Sequence, residues 1–309
     1  MALLSVIIPS FNEEANIENT ANTIKQILIS NQIDYELIFI DDGSQDNTFS
    51  CILHQSSLDN HVLGIRFSRN FGKEACIFAG LEKAQGDCCV VIDCDLQHPP
   101  KTMVEMYRLW EQGYQVVEGV KKARGKESLP YKLSAKLFYK LISKATHFDM
   151  EKSSDFKLLD RQVVDALLTV KENSTFFRAL SYWVGFKSIQ IEYEVEDRQF
   201  GESKWSLGSL IRYAINNVSA FTATPLHIVT VCGAVLIVFS IALFIYTIVQ
   251  YISKNTVEGL TTIIILQLII GGAIMLSLGI IGFYLGKVYD EVKSRPRYII
   301  AQETAPLKK

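Results

Sequence analysis

Two stretches near the C-terminus contain no Asp, Glu, Lys or Arg: Tyr213 to Ser253, about 41 residues, and Gly259 to Gly286, about 28. Crossing a bilayer takes roughly 20 apolar residues in a helix, so each stretch holds one crossing. Ile228 to Tyr251 and Leu260 to Leu285 are apolar around the whole helix, which separates them from a one-faced hairpin buried in a soluble protein. The first stretch is longer than one crossing needs, so its front part has another task. A charged region of about 205 residues precedes both, long enough for one α/β domain with a full core. The pattern is that of an enzyme tethered by its own tail, with a substrate at the bilayer surface.

The formal net charge of −2 hides an asymmetry, because almost all charges lie before Arg212 or after Gly286. This balance does not point to a nucleic-acid partner. Cys51, Cys76, Cys88, Cys89, Cys94 and Cys232 show no CxxC spacing, so zinc and thioredoxin-type sites are not indicated. They read as small core residues in a reduced compartment. The opening run Ser5-Val6-Ile7-Ile8-Pro9 is too short for a signal peptide, so the large domain is expected in the cytoplasm. Arg212 precedes the first span, and Lys287, Lys293, Arg295 and Arg297 follow the second, across the short connection Lys254-Asn255-Thr256-Val257-Glu258. The positive-inside rule therefore places both ends inside a cytoplasmic membrane. Gly271, Gly272, Gly279, Gly282 and Gly286 permit close helix packing, including between protomers of a homo-oligomer.

Ser5–Ile8, Glu36–Ile40, Val62–Phe67 and Cys89–Ile92 read as buried parallel strands. Ala15–Ile29, Asn47–Leu58 and Glu74–Ala84 alternate with them at helical spacing, which predicts a parallel sheet covered on both faces. Further on, Leu133–Ala145 and Arg161–Leu168 look helical and Ser188–Tyr193 looks like a strand. After Gly201-Glu202-Ser203, the residues Leu207, Leu210, Ile211, Ala214, Ile215 and Val218 form an amphipathic stripe, read as a helix lying in the membrane interface. Trp205 precedes it and suits that boundary. The expected domains are a catalytic domain over 1–205, an interfacial helix and linker over 206–226, a transmembrane hairpin over 227–286 and a cytoplasmic tail over 287–309.

Ligands of such sheets bind beyond the carboxyl ends of the strands, and polar clusters occur there: Pro9-Ser10-Phe11-Asn12-Glu13, Asp41-Asp42-Gly43-Ser44 and Asp93-Cys94-Asp95. Asp93 and Asp95, one residue apart past a buried strand, point the same way and repel unless a cation lies between them. Mg²⁺ accepts one or two carboxylates and completes its shell with phosphate oxygens and water, so a metal-bridged diphosphate is the substrate group expected. Gln97 and His98 follow closely enough to complete or support the shell. Neither GxGxxG nor GxxxxGK[ST] occurs, which removes the two commonest phosphate cradles. Asp46 and Thr48 read as caps of the helix that follows the second acidic turn.

Val6-Ile7-Ile8-Pro9-Ser10-Phe11-Asn12-Glu13, Ile40-Asp41-Asp42-Gly43-Ser44-Gln45-Asp46-Asn47-Thr48, Asp93-Cys94-Asp95-Leu96-Gln97-His98-Pro99, Ser154-Asp155-Phe156-Lys157-Leu158-Leu159-Asp160-Arg161 and Gly201-Glu202-Ser203-Lys204-Trp205-Ser206 stand in one order along the chain. In that order they resemble glycosyltransferase family 2, specifically its polyisoprenyl-phosphate glycosyltransferases, over nearly the whole chain. The resemblance implies a GT-A (Rossmann-like) fold, an inverting mechanism and a nucleotide diphosphate sugar donor, with UDP-glucose or UDP-N-acetylglucosamine favoured by the bacterial branch. It puts Pro9, Asn12, Glu13, Asp41 and Asp42 at base and ribose, and Asp93, Asp95 and Gln97 at Mg²⁺ or Mn²⁺ and the diphosphate. It puts Asp155 beside the reacting sugar, and Arg124, Arg198 and Lys204 on phosphates of donor and acceptor. Lys121, Lys122, Arg124 and Lys126 share a stretch in which the family often has a second arginine. The acceptor implied is polyprenyl (undecaprenyl) phosphate, in the service of cell-envelope glycan modification. A processive polysaccharide synthase would add a QxxRW motif and more spans, and neither occurs. A non-catalytic nucleotide-sugar-binding adaptor would bind donor without releasing nucleoside diphosphate.

Overall fold

The computed structural model describes residues 2–122, 154–170, 172, 176–194, 224–253 and 259–304. Its contacts divide the chain into two compact units, one of Met1–Trp205 with Pro296–Lys309 and one of Ser206–Arg295.

In the first unit, β1 (Leu3–Ser10), β2 (Asp34–Asp41), β3 (Val62–Phe67) and β4 (Cys88–Val91) alternate with α1 (Ile17–Ser30), α2 (Thr48–Leu58) and α3 (Lys73–Lys83). Then follow α4 (Pro100–Glu111), β5 (Val116–Lys121), β6 (Lys157–Asp160), α5 (Arg161–Thr169), α6 (Phe177–Trp183), β7 (Ser188–Tyr193) and, far along the chain, β8 (Ile300–Glu303). One sheet takes the order β7-β5-β6-β4-β1-β2-β3-β8. Alternate residues of a strand face opposite sides, and β1 uses both. Leu4, Val6 and Ile8 join a core with Ile17, Ala21, Ile24 and Leu28 of α1, and with Met103, Met106 and Tyr107 of α4. Ile7 meets α3 on the other side, where a Cβ on Gly80 would stand 2.4 Å from Ile7 Cγ2. Helix and strand approach that closely only because position 80 is glycine.

The fully parallel sheet expected from the alternation is corrected in two places. β6 runs antiparallel to β4 and β5, and β8 runs antiparallel to β3. Lys157-Leu158-Leu159-Asp160 is too short to show a period, and its reversal places Ser154-Asp155 at the carboxyl edge of the other strands. β8 lies within the stretch expected as a tail. Thr304 Oγ1 accepts from Gly64 N at 2.9 Å, Lys83 pairs with Glu303 at 2.8 Å, and Tyr298 stacks on Phe67 with centroids 4.9 Å apart. Arg297 donates to the carbonyls of Val170 and Glu172, and Tyr298 donates to Glu82.

The second unit contains α7 (Thr224–Ile252) and α8 (Leu260–Val292). Val229–Gln250 and Ile269–Val292 are long and apolar enough to cross a membrane. The interfacial helix expected over 206–218 and the helix expected over Leu133–Ala145 lie outside the described residues.

Candidate active site

Three turns at the carboxyl edge of β1, β2 and β4 carry the acidic residues. The β1–α1 and β2–α2 turns hold each other in place. Asn12, in the left-handed region at φ 55°, donates its backbone N–H to Ser44 Oγ at 2.9 Å, while its Oδ1 accepts from Gln45 N at 3.0 Å. Glu13 N donates to Thr48 Oγ1 at 2.8 Å, and Asp46 Oδ1 accepts from Thr48 N at 3.0 Å. The N-cap position of α2 is Asn47, which makes no side-chain cap bond, so Asp46 and Thr48 brace the turn rather than cap the helix. Gly43 has φ +69°, and a Cβ there would lie 2.6 Å from the backbone carbon of Arg69, so this turn needs glycine on both counts. Pro9 is the second-last residue of β1, just ahead of these contacts.

Asp41 and Asp42 have different surroundings. Asp41 is fully buried; its Oδ1 accepts from Ser44 N at 2.9 Å, whereas Oδ2 has Arg66 Nε at 3.4 Å and no hydrogen bond. Asp41 Oδ2 is thus a buried acceptor whose charge is met by the Arg66 guanidinium. Asp42 accepts Phe71 N at 2.6 Å and Gly72 N at 2.9 Å, so it fixes the loop that follows β3.

Past β4, Asp93 and Asp95 flank Cys94, which turns inward and is buried. Thr20 Oγ1 donates to the Cys94 carbonyl at 2.7 Å and ties this turn to α1. Asp95 Oδ1 accepts from Gln97 N at 3.1 Å around Leu96 at φ 54°. His98 is buried, stacked on Phe156 at 4.9 Å and edge-on to Tyr193 at 5.5 Å. Burial pushes its imidazole below the usual pKa, and its Nδ1, without a hydrogen bond, lies 3.9 Å from Asp93 Oδ2.

Asp155 comes to the same place from the reversed strand β6. Lys73 Nζ, at the first turn of α3, stands 2.5 Å from Asp93 Oδ1 and 3.0 Å from Asp155 Oδ2. Arg178 of α6 grips Asp155 as a fork, Nε to Oδ1 at 2.7 Å and Nη2 to Oδ2 at 2.9 Å. Burial alone would raise the Asp155 pKa, but Lys73 and Arg178 outweigh it and hold this carboxyl far below the carboxylate range. Beside them Glu74 accepts from Phe177 N at 2.8 Å, and burial raises its pKa to about 7. Beneath Asp155 lies a buried pair, Lys157 Nζ to Glu118 Oε1 at 3.0 Å; Ser154 N donates to the same oxygen at 3.0 Å and Lys157 also donates to Ser181 Oγ at 2.8 Å. These bonds fix where Asp155 sits.

The donor set fits a hard divalent cation. The gap between Asp93 and Asp155 already accommodates one positive charge, the Lys73 ammonium, against carboxylate oxygens. No three His, Cys, Asp or Glu side chains converge among the described residues. A metal held by Asp93, with the Asp95 and Gln97 expected from the sequence, would take further oxygens from phosphate and water, the habit of Mg²⁺ and Mn²⁺. Arg124, Arg198 and Lys204 lie outside the described residues. Lys73 and Arg178 were missed in the sequence. Lys73 follows the third strand's carboxyl end as the acidic clusters follow the other three, and that rule would have found it; Arg178 carries no local signal.

The profile of glycosyl transferase family 2 matches residues 5–168. The chain belongs to this family. Putative glycosyltransferase CsbB of Bacillus subtilis is 40% identical over 99% of this chain and 93% of its own length. The prophage bactoprenol glucosyl transferase homolog of Escherichia coli K12 is 34% identical over 96% of this chain and 98% of its own. The undecaprenyl-phosphate 4-deoxy-4-formamido-L-arabinose transferase of Photorhabdus laumondii is 33% identical over 96% and 93%. The family 2 enzyme is thus a glycosyltransferase with full-length relatives in the polyisoprenyl-phosphate group, and its mixed, doubly covered sheet is the GT-A arrangement.

Proposed function

We propose that this glycosyltransferase moves a sugar from a nucleoside diphosphate donor to polyprenyl phosphate at the cytoplasmic face of the membrane, with inversion. The observation that carries the reading is the meeting of Asp93 and Asp155 within 3.0 Å of one cation, at the sheet edge where the Asp41 turn also opens. The full-length relatives named for bactoprenol and undecaprenyl phosphate support the acceptor, and the two spans support a lipid substrate. The relatives' names differ in sugar, so UDP-glucose and UDP-N-acetylglucosamine rest on the sequence resemblance.

An acceptor phosphate oxygen attacks the anomeric carbon; one C–O bond forms as the bond to the diphosphate breaks, and nucleoside diphosphate leaves. Bound Mg²⁺ or Mn²⁺ would supply charge stabilisation to the departing diphosphate. Asp93 and Asp95 would hold that metal, Asp41 and the Asn12–Glu13 turn would serve base and ribose, and Arg124, Arg198 and Lys204 would serve phosphates. A phosphomonoester is already largely dianionic at neutral pH, its second pKa being about 6, so no strong base is required. Asp155, doubly paired and kept ionised, is a poor base and a good orienter.

The pairing of β8 with β3 in the sheet that β1 to β3 begin supports an even number of crossings, as in a two-span hairpin with both ends on one side. The positive-inside bias assigns that side to the cytoplasm. Purified protein given undecaprenyl phosphate and a panel of nucleotide sugars should release nucleoside diphosphate only with carrier, one matching sugar and divalent metal. Release independent of carrier would mark a hydrolase or a soluble-acceptor enzyme, and no release with any donor would favour the adaptor.

A further inference from the structure

Asp93 and Asp155 share Lys73, but they depend on it unequally. Asp155 keeps the Arg178 fork at 2.7 and 2.9 Å whatever Lys73 does. Asp93 has Lys73 at 2.5 Å and, beyond it, only His98 at 3.9 Å among the described residues. Exposure is unequal too: the Asp155 side chain is 9% exposed, Asp93 33% and Lys73 39%. Asp155 would keep Arg178 were Lys73 to move, so the Lys73–Asp93 contact is the one that can exchange.

We propose that Lys73 is a positioning residue that occupies the cation's place between Asp93 and Asp155 while donor is absent, and yields Asp93 to a metal–nucleotide complex. This rests on the metal-assisted transfer read above. Between the two carboxylates the ammonium offsets their mutual repulsion. Metal alone meets an Asp93 already neutralised, whereas metal carried by a diphosphate brings its own negative charge and displaces the ammonium. The freed N–H then faces a site in which phosphate oxygens have arrived. Lys73 thereby makes metal and nucleotide enter together.

The test is Mn²⁺ binding to the full chain in detergent, read by electron paramagnetic resonance of free Mn²⁺, with and without UDP, and GDP in parallel. Wild type should bind Mn²⁺ weakly alone and at least about tenfold more tightly with the matching nucleotide. Lys73→Met should bind Mn²⁺ alone about tenfold more tightly than wild type, since one nearby positive charge is gone, and its gain from nucleotide should shrink. Lys73→Arg should keep the wild-type ratio, and Lys73→Gln repeats the measurement should the Met variant melt early. Equal ratios in wild type and both neutral variants, or Mn²⁺ binding lost in both, would overturn the proposal. Asp93→Asn separates the two readings: undiminished Mn²⁺–nucleotide binding in that variant would defeat the metal assignment itself, and this proposal with it.

Discussion

Asp155 is where the chemistry and the electrostatics of the site meet. Its carboxyl is held low against burial by Lys73 and Arg178, so it has no proton affinity to offer near neutrality. Asp155→Asn should therefore slow turnover about 10- to 100-fold through misplacement, while the pH–rate profile between pH 6 and 9 keeps its shape. An acidic limb, with the rate falling as pH drops, present in wild type and absent from the variant would instead make Asp155 the base. Glu74 behaves oppositely. Burial raises its folded pKa from 4.5 to about 7, so the unfolded chain releases this proton first. Stability from this group is complete below about pH 4.5 and is lost as pH rises through 7. Melting temperature should fall across that window, and Glu74→Gln should flatten the fall; an unchanged slope would remove Glu74 from the account. Gly43→Ala should cost about 1–3 kcal/mol through its positive φ and the backbone 2.6 Å away, with nucleotide binding weakened alongside.

Among the elements, the four parallel strands and the helices between them were legible because buried strands and amphipathic helices leave different periods in the sequence. The acidic turns were legible because such strands deliver ligand groups at their carboxyl ends. β6 was not: four residues carry no period, and its reversal depends on pairing with β4 and β5, which no local pattern records. Arg178 was hidden for the same reason, since 23 residues separate it from Asp155. β8 was hidden because its neighbours in the sequence are a long apolar helix and a charged end. Its role has a practical consequence. Cutting the chain after Arg212, the obvious way to make a soluble catalytic domain, also removes β8 and bares the edge of β3, an invitation to aggregation. Such a fragment should melt lower than the full chain and associate in gel filtration, and rejoining 296–309 to residue 205 through a flexible linker should restore it. A fragment of equal stability without 296–309 would show β8 to be dispensable.

Taken together, the folded chain is a GT-A transferase whose sheet draws strands from sequence on both sides of two helices long and apolar enough to cross a membrane. The apolar stretches pointed to a substrate at the bilayer surface, and relatives named for bactoprenol and undecaprenyl phosphate are in keeping with it. The paired spans predict that a cysteine placed in the 254–258 connection reacts with a membrane-impermeant thiol reagent from outside intact cells. One placed at 305–309 should react only after lysis; labelling of both from the same side without lysis would break the topology. The most direct measurement is sugar transfer to purified undecaprenyl phosphate by the doubly substituted Asp93→Ala, Asp95→Ala enzyme, folded and saturated with its donor. Loss of at least about 100-fold in transfer rate is predicted, since metal and leaving diphosphate lose their shared anchor. Transfer at the wild-type rate would contradict the account.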